Sequence, residues 1–277
     1  MTVGIAGLGL IGGSLAKSYK ENNETVLGLD IDASTVSYAL LSKTIDGVLD
    51  RENMKSCDLI LIALTPKACL NFLDENAEYF GKDKLVIDCC GIKQSICNKG
   101  FALAEKYGFI FIGGHPMAGT QYSGFKKSKS DMFKGATMAL VPPVFDDISI
   151  LERAKQALLP GKFGKFTVWT AENHDRIIAY TSQLAHIVSN AYMKSPTVKE
   201  HKGLSAGSYR DLTRVAYMNV PMWTELFLKN KASVIYELDV LIQALSEYKD
   251  AIQNNDFEQL KRLLQEGSDR KQEVDKR

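Results

Sequence analysis

A chain of 277 residues, 45% hydrophobic and 24% charged, has ordinary globular composition and is long enough for one large domain or two modest ones. With 34 Lys and Arg against 33 Asp and Glu, it has no basic excess to recruit nucleic acid and no acidic excess of the kind that marks interaction tails. Apolar runs such as Leu59–Leu64 are too short to span a bilayer, and the residues after Met1 enter a strand without the basic start, long apolar stretch and small-residue cleavage site of a leader peptide, so no membrane partner is expected.

The first half alternates short β-branched runs with helical stretches. Val3–Ala6 reads as a strand and Gly12–Lys20 as a helix. Thr25–Leu29 follows as a strand and Ser34–Leu41 as a helix. Leu59–Leu64 (LILIAL) is apolar throughout, as suits a parallel strand covered on both faces. Lys67–Phe80 is a helix, Leu85–Asp88 a strand, Ile92–Tyr107 a helix, and Phe109–Ile112 and Ala136–Val141 are strands. This order implies a doubly wound, mostly parallel sheet. After Phe166–Trp169 the strand signals stop. Residues 171–193, 209–218, 221–248 and 255–265 read as helices, and the charged stretch Gly267–Arg277 as a frayed helix or solvated tail. The expected boundary lies near residue 169, giving a nucleotide-binding α/β domain over 1–169 and an all-α domain over 170–277. The long helices of the second domain are expected to offer an apolar face to a partner copy, making a homodimer.

Five cysteines, Cys57, Cys69, Cys89, Cys90 and Cys97, show no C-x-x-C spacing, and Cys89 and Cys90 fall on opposite faces of any strand continuing there. Reduced thiols in a cytoplasmic protein are the natural reading, with no metal-ligand spacing among Cys and His.

Gly7-Leu8-Gly9-Leu10-Ile11-Gly12 is a G-x-G-x-x-G that follows a strand, opens a helix and starts a βαβ unit, and Asp30 ends the next strand. That context identifies a Rossmann dinucleotide site. Gly7 permits the tight turn, Gly9 lets the pyrophosphate approach the backbone, Gly12 lets helix pack on strand, and the helix N-terminus attracts phosphate. Asp30 can accept hydrogen bonds from a ribose diol and would repel a 2′-phosphate. Ile31, Asp32, Ala33 and Ser34 supply no compensating cation, which favours NAD over NADP. Thr65-Pro66 and Asp88-Cys89-Cys90-Gly91 end further strands at the carboxyl edge, where open sheets of this kind bind ligands.

Gly113-Gly114-His115-Pro116-Met117-Ala118-Gly119-Thr120 follows the strand Phe109–Ile112. Three glycines, a proline and a histidine are expected to form a loop there, past the strand's carboxyl end, where His115 can meet substrate and nicotinamide together. The string G-G-H-P-M-A-G-T-x-x-S-G resembles the signature of the prephenate and arogenate dehydrogenases. The resemblance runs from about residue 3 to residue 230: His174-Asp175 followed by Ser182-Gln183-Leu184-Ala185-His186 resembles H-D…S-H-L-P-H, Tyr209–Arg214 resembles F-R-D-x-T-R, and Pro221-Met222-Trp223 resembles the start of P-x-x-W.

The resemblance implies NAD-dependent oxidative decarboxylation of prephenate to 4-hydroxyphenylpyruvate in tyrosine biosynthesis, with arogenate, or both substrates, as the alternative. It implies that His115 accepts the proton of the ring 4-hydroxyl as hydride leaves and that Arg214 holds a substrate carboxylate in its planar fork. It also implies that His186 helps bind substrate and that Asp211 and Trp223 organise the pocket. His174 reads as a structural residue at a helix N-terminus, and His201 as a solvent-exposed loop residue. The chain departs from the family at Gly91, where many relatives carry Ser in D-x-G-S-x-K, at Gln121, where Glu is common after G-T, and at Gln183 and Ala185. A water or Thr120 would have to supply the hydroxyl missing at Gly91. With the helical stretch ending soon after residue 265, the regulatory or mutase domains appended in some relatives are expected to be absent. Two rival readings, another dehydrogenase or imine reductase of similar architecture and a catalytically silent NAD sensor, fit the glycine motif but leave His115, His186 and Arg214 without a purpose.

Overall fold

Alternation of aliphatic and β-branched residues along short runs produces, among the described residues, eight strands that pair into one sheet. The computed structural model describes residues 1–120 and 122–276. In chain order the first part consists of β1 (Thr2–Ala6), α1 (Leu10–Glu21), β2 (Thr25–Leu29), α2 (Ala33–Leu41), β3 (Gly47–Val48), β4 (Leu59–Ile62), α3 (Pro66–Asn76), β5 (Leu85–Asp88), α4 (Gln94–Tyr107), β6 (Ile110–Pro116), β7 (Thr137–Val141), α5 (Ile148–Leu158) and β8 (Lys165–Val168). The strand order is β3-β2-β1-β4-β5-β6-β7-β8, parallel except where β6 meets β7. The chain thus winds one way through β1, β2 and β3 and the other way from β4 onward. The crevice between β1 and β4 is the topological switch point, where such sheets hold ligands.

Side chains alternate across the sheet and build two apolar layers. Val3, Ile5, Leu59, Leu61 and Ile87 point to the layer covered by Leu15 and Tyr19 of α1 and Leu158 of α5. Ala6, Ile60, Ile62 and Val86 point to the other, covered by Phe72 and Leu73 of α3 and Ile96 of α4. All four residues of β4 are buried, as its apolar composition requires. The period of two carries past β5: Cys89 packs against the first layer and Cys90 lies in the second.

Sequence periodicity and structure differ in several places. Gly113, Gly114, His115 and Pro116 do not form a loop but complete β6, pairing antiparallel with Met138–Val141. The glycines are there because backbone comes close: a Cβ on Gly114 would lie 2.3 Å from the carbonyl oxygen of Asp88. Gly47–Val48 and the helix α5 were not anticipated.

Beyond β8 every element is helical: α6 (Ala171–Ile178), a π-helical turn (Ala179–Leu184), α7 (Ala185–Tyr192), α8 (Gly207–Thr213), α9 (Val220–Lys229), α10 (Lys231–Gln253) and α11 (Phe257–Asp275). The expected helix over 171–193 therefore contains a π turn, and the helix expected over 221–248 is broken at Asn230. Of the two expectations for the charged C-terminal stretch, a helix or a solvated tail, the structure shows helix as far as Asp275. Residues 1–230 form one compact unit and 231–277 a second. In the second, α10 and α11 pack together, with Tyr248 Oη donating to Leu263 O at 3.0 Å and Asp256 capping α11 by accepting from Gln259 N at 2.9 Å. Among the described residues no helix is long and apolar enough to cross a membrane.

A fully buried ion pair fastens the carboxyl edge of the sheet. Lys93 Nζ pairs with Asp88 and donates to Gly114 O at 2.6 Å. Asp88 in turn accepts from Cys90 N at 2.8 Å and Gly114 N at 3.2 Å. Burial pulls the ammonium of Lys93 down, but the Asp88 carboxylate together with Cys97 and Cys90 outweighs it and holds Lys93 above its ordinary value. Removing one member strands a buried charge. We therefore expect Lys93→Met to lower stability by about 3–5 kcal/mol, read as a fall in the urea midpoint; an unchanged midpoint would show that the pair contributes nothing to the fold.

Candidate active site

The turn from β1 into α1 is shaped for a nucleotide. Gly7 has φ +92°, and a Cβ there would lie 2.5 Å from Ala63 O, so only glycine fits the turn. A Cβ on Gly12 would lie 1.8 Å from Gly7 O, which is how α1 packs directly on the turn. A Cβ on Gly9 would meet nothing within 4 Å, which leaves open space at the start of α1. Gly9 is the N-cap, so the N–H groups of Leu10 and Ile11 open the helix without intrahelical acceptors and are free to meet phosphate. Asp30, just past β2, is fixed beside this turn, Oδ2 accepting from Leu8 N at 2.8 Å and Oδ1 from Asp32 N at 2.9 Å, and it keeps lone pairs for a ribose diol. Open space, helix N–H groups and a fixed carboxylate fit a dinucleotide. The cleft beside Asp32, Ser34 and Thr35 also contains Lys126, a cation from the turn Phe125–Lys127 that is distant in sequence from residues 31–34. Thr65 is the exposed N-cap of α3 and Pro66 its buried first residue, at the carboxyl end of β4.

His115 sits near the carboxyl edge, half-buried, on β6. Its Nδ1 lies 3.0 Å from Nε2 of His174, and Nδ1 of His174 lies 2.8 Å from Oδ1 of Asp175. Asp175 also accepts from Lys93 N at 2.6 Å and Gln94 N at 2.9 Å, so one side chain from α6 caps the N-terminus of α4. The other edge of His115 faces Gly91: a Cβ at 91 would lie 3.8 Å from His115 Nε2 and 3.5 Å from Leu226 Cδ2. Position 91 thus has room for a side chain beside His115, and the sequence leaves it empty. Burial, followed by the neighbouring His174 and Lys93, pushes His115 well below the usual histidine range. Burial likewise lowers His174, although Asp175 pulls the other way. Both rings are neutral at pH 7.

A second cluster forms around His186. The π turn Ala179–Leu184 delivers it, and Ser182 O of that turn accepts from His186 Nδ1 at 2.8 Å. The ring stacks on Trp223 at 3.9 Å, and Trp223 lies 5.3 Å from Phe227. Burial lowers His186, its bond to Ser182 opposes this, and the charge of Arg214 adds to the lowering. Arg214 is the exposed C-cap of α8, three residues after the exposed Asp211. Ser189 of α7 holds α8 by donating to Leu212 O at 2.7 Å. Leu226 carries α9 to Gly91, and Gln183 Nε2 donates to Leu226 O at 3.3 Å, so the glutamine that replaces the family's histidine braces α9.

The sequence-based candidates separate into groups. Gly7, Leu8, Gly9, Leu10, Ile11, Gly12 and Asp30 form one cradle. Gly91 and His115 meet, as do His186 and Trp223 within reach of Arg214's charge. Thr120 is exposed and its hydroxyl accepts from Tyr122 N at 3.2 Å. Gln121 lies outside the described residues. His201 is half-buried, not solvent-exposed, and packs on Tyr209 at 4.6 Å. Sequence gives His174 a place at a helix N-terminus and Asp175 no role of its own; their adjacency in the H-D pair is visible, but only the fold shows what they touch. Cys69, Asp88 and Cys90 place ligand atoms within 4.8 Å of one another, yet the Asp88 carboxylate is already engaged by Lys93, Cys90 N and Gly114 N, which argues against an ion there.

Known proteins share both the sequence and this architecture. A family model described as "Prephenate dehydrogenase, nucleotide-binding domain" matches residues 15–164, and "Prephenate dehydrogenase, dimerization domain" matches residues 170–266. A prephenate dehydrogenase of Bacillus subtilis (strain 168) is 30% identical, over 97% of this chain and 74% of its own length. The crystal structure of Synechocystis arogenate dehydrogenase superposes with a TM-score of 0.81 at 26% identity, covering 99% of this chain and 100% of that one. A prephenate dehydrogenase from A. aeolicus, solved with hydroxyphenyl propionate and NAD+, superposes with a TM-score of 0.81 at 26% identity over 99% and 98% of the two chains. The chain is a member of the prephenate dehydrogenase family of NAD-dependent oxidoreductases.

Proposed function

We propose that this chain oxidatively decarboxylates prephenate to 4-hydroxyphenylpyruvate, the step leading to tyrosine, with His115 as general base and Arg214 as the carboxylate anchor. The observation that carries the reading is His115 itself: a neutral imidazole held by His174, with Nε2 facing Gly91 at the carboxyl edge of a dinucleotide-binding sheet. NAD, when bound, accepts the hydride from the hydroxyl-bearing ring carbon. His115 takes the hydroxyl proton at Nε2. Arg214 binds a carboxylate through its guanidinium, which keeps its charge at every working pH. His186, neutral and stacked on Trp223, packs beside the substrate. Loss of carbon dioxide makes the ring aromatic, and that supplies the driving force, so orientation by these side chains suffices without a strong acid.

The same reading assigns dinucleotide binding to residues 1–169 and substrate binding and dimerisation to 170–277. Support comes from the sheet, which ends at Val168, and from the family model of a dimerization domain over 170–266. Ile235, Tyr236, Val240, Ile242 and Leu245 of α10 are exposed, which suits a face covered by a second copy. Arogenate is the second reading, favoured by the Synechocystis arogenate dehydrogenase. Following NADH absorbance with prephenate and arogenate, each with NAD and NADP, separates them. Prephenate with NAD is expected to give the highest kcat/KM, and no turnover with either substrate would refute the assignment.

Three outcomes follow from the residue roles. His115→Asn should lower kcat by about 10²–10⁴-fold, the usual contribution of a general base, with the Kd for NAD unchanged by calorimetry. Full turnover would remove His115 from the chemistry. Arg214→Ala should raise the KM for prephenate far more than it lowers kcat, and a pure kcat effect would contradict its anchoring role. A base works only when unprotonated, so its protonation removes activity on the acid side. Around His115 stand His174 and Asp175 from α6, Lys93 beside α4 and Asp88 of β5, and burial with His174 and Lys93 puts the ring well below the ordinary 6.5. The plateau of kcat/KM should therefore extend below pH 6.5; an acid limb centred at or above 6.5 would show that the base is not held neutral.

A further inference from the structure

The bond between His115 and His174 has a direction, and the neighbouring groups fix it. Both oxygens of Asp175 accept from backbone N–H groups at the start of α4, Oδ1 from Lys93 N at 2.6 Å and Oδ2 from Gln94 N at 2.9 Å. Oδ1 also lies 2.8 Å from Nδ1 of His174, and a carboxylate has no hydrogen to give, so His174 Nδ1 is the donor. A neutral imidazole with its hydrogen on Nδ1 has only a lone pair on Nε2. His174 Nε2, 3.0 Å from His115 Nδ1, is therefore an acceptor, and His115 Nδ1 must carry the hydrogen between them. That leaves the lone pair of His115 on Nε2, on the side facing Gly91. With the opposite tautomer, Nε2 would already hold a hydrogen and could accept nothing.

We propose that His174, aimed by Asp175, is a positioning residue that fixes His115 in the Nδ1–H tautomer and so makes Nε2 the base. The proposal rests on His115 acting as the base. When the O–H bond of the substrate breaks, the proton and the new N–H bond are both at Nε2 of His115, and the positive ring keeps its Nδ1–H bond to the His174 lone pair. Asp175 steadies this arrangement without taking the proton, because its hydrogen bonds run inward from Nδ1 of His174 and from two backbone amides. Burial of His174 favours its neutral form, as the arrangement needs. The two ring centroids lie 5.2 Å apart with the planes at 64°, so the rings meet edge-on and are not stacked. The pairing also gives the H-D motif at 174–175 a chemical purpose: the histidine addresses β6 while the aspartate addresses both the histidine and α4.

The test uses the full-length protein with and without substituted His174. In protein labelled with ¹⁵N-histidine, long-range ¹H–¹⁵N spectra at pH 8 are expected to show His115, assigned by its loss in His115→Asn, bearing hydrogen on Nδ1 and none on Nε2. His174→Leu removes the acceptor and should lower kcat by about a hundredfold, the lower end of what a base contributes, with the Kd for NAD unchanged. His174→Gln places an amide oxygen where it can accept from His115 Nδ1 and should recover at least tenfold of that loss. Equal kcat losses in the two variants at matched melting temperatures would overturn the proposal, because a packing role is served by neither, as would hydrogen on His115 Nε2 in the unsubstituted protein. Should His174→Leu fail to fold, the spectrum and His174→Gln still decide. The spectrum needs no substrate, so a protein that turns over neither prephenate nor arogenate defeats the functional reading while the tautomer is judged separately.

Discussion

One carboxylate, that of Asp175, joins the parts of the site. It comes from the first helix after the sheet, yet it caps α4 through Lys93 N and Gln94 N and holds His174 through Nδ1. A helix N-terminus needs acceptors for its free N–H groups, and a buried histidine needs a partner for its ring hydrogen. Asp175 answers both at once, so α6 cannot shift without uncapping α4 and releasing His174, and through it His115. Asn230 adds to the joint by donating to Asp175 O at 2.8 Å and to Gln183 Oε1 at 2.7 Å, which ties the end of α9 to the same point.

Around that joint, buried charge is handled by close pairing. Lys93 and Asp88 are fully buried and satisfied by each other and by the backbone of β6, and their pairing fixes the strand that bears His115. The cost of burying two ions is high, so such a pair serves geometry more than stability. Its consequence for the chemistry is electrostatic: the ammonium of Lys93 joins burial in keeping His115 neutral. The same principle governs the second cluster, where Arg214 and burial together keep His186 neutral beside Trp223. Two neutral imidazoles and a permanent cation suit a reaction that removes one proton from an alcohol and must hold an anionic substrate.

Family membership and local detail carry different parts of the account. Solved structures named for prephenate and for arogenate share this architecture, as the A. aeolicus and Synechocystis proteins illustrate, so the fold alone does not choose the substrate. Two of the departures from the family pattern, Gly91 and Gln183, have visible structural consequences. Gly91 leaves the space beside His115 Nε2 open, and Gln183 turns a ring position into a brace for α9. Both positions meet Leu226 of α9, Gly91 facing its side chain and Gln183 donating to its carbonyl oxygen.

Local patterns settled much of this protein before any coordinates. The period of two gave most strands within a residue or two, the glycine spacing gave the turn into α1, and the order of elements gave the doubly wound sheet, because these depend on neighbours close along the chain. Strings at 113–124, 174–186 and 209–214 named the family. Three things depended on distant contacts. Gly113–Pro116 became a strand because β7 offers it a partner and glycine lets the Asp88 backbone approach. The helix over 171–193 acquired a π turn, which composition does not signal. His174, which looks like an ordinary residue at the start of a helix, became the partner of His115 because folding brings together two rings that lie 59 positions apart. Hydrogen-bond direction belongs to the set of neighbours around an atom, and only the tertiary structure assembles that set.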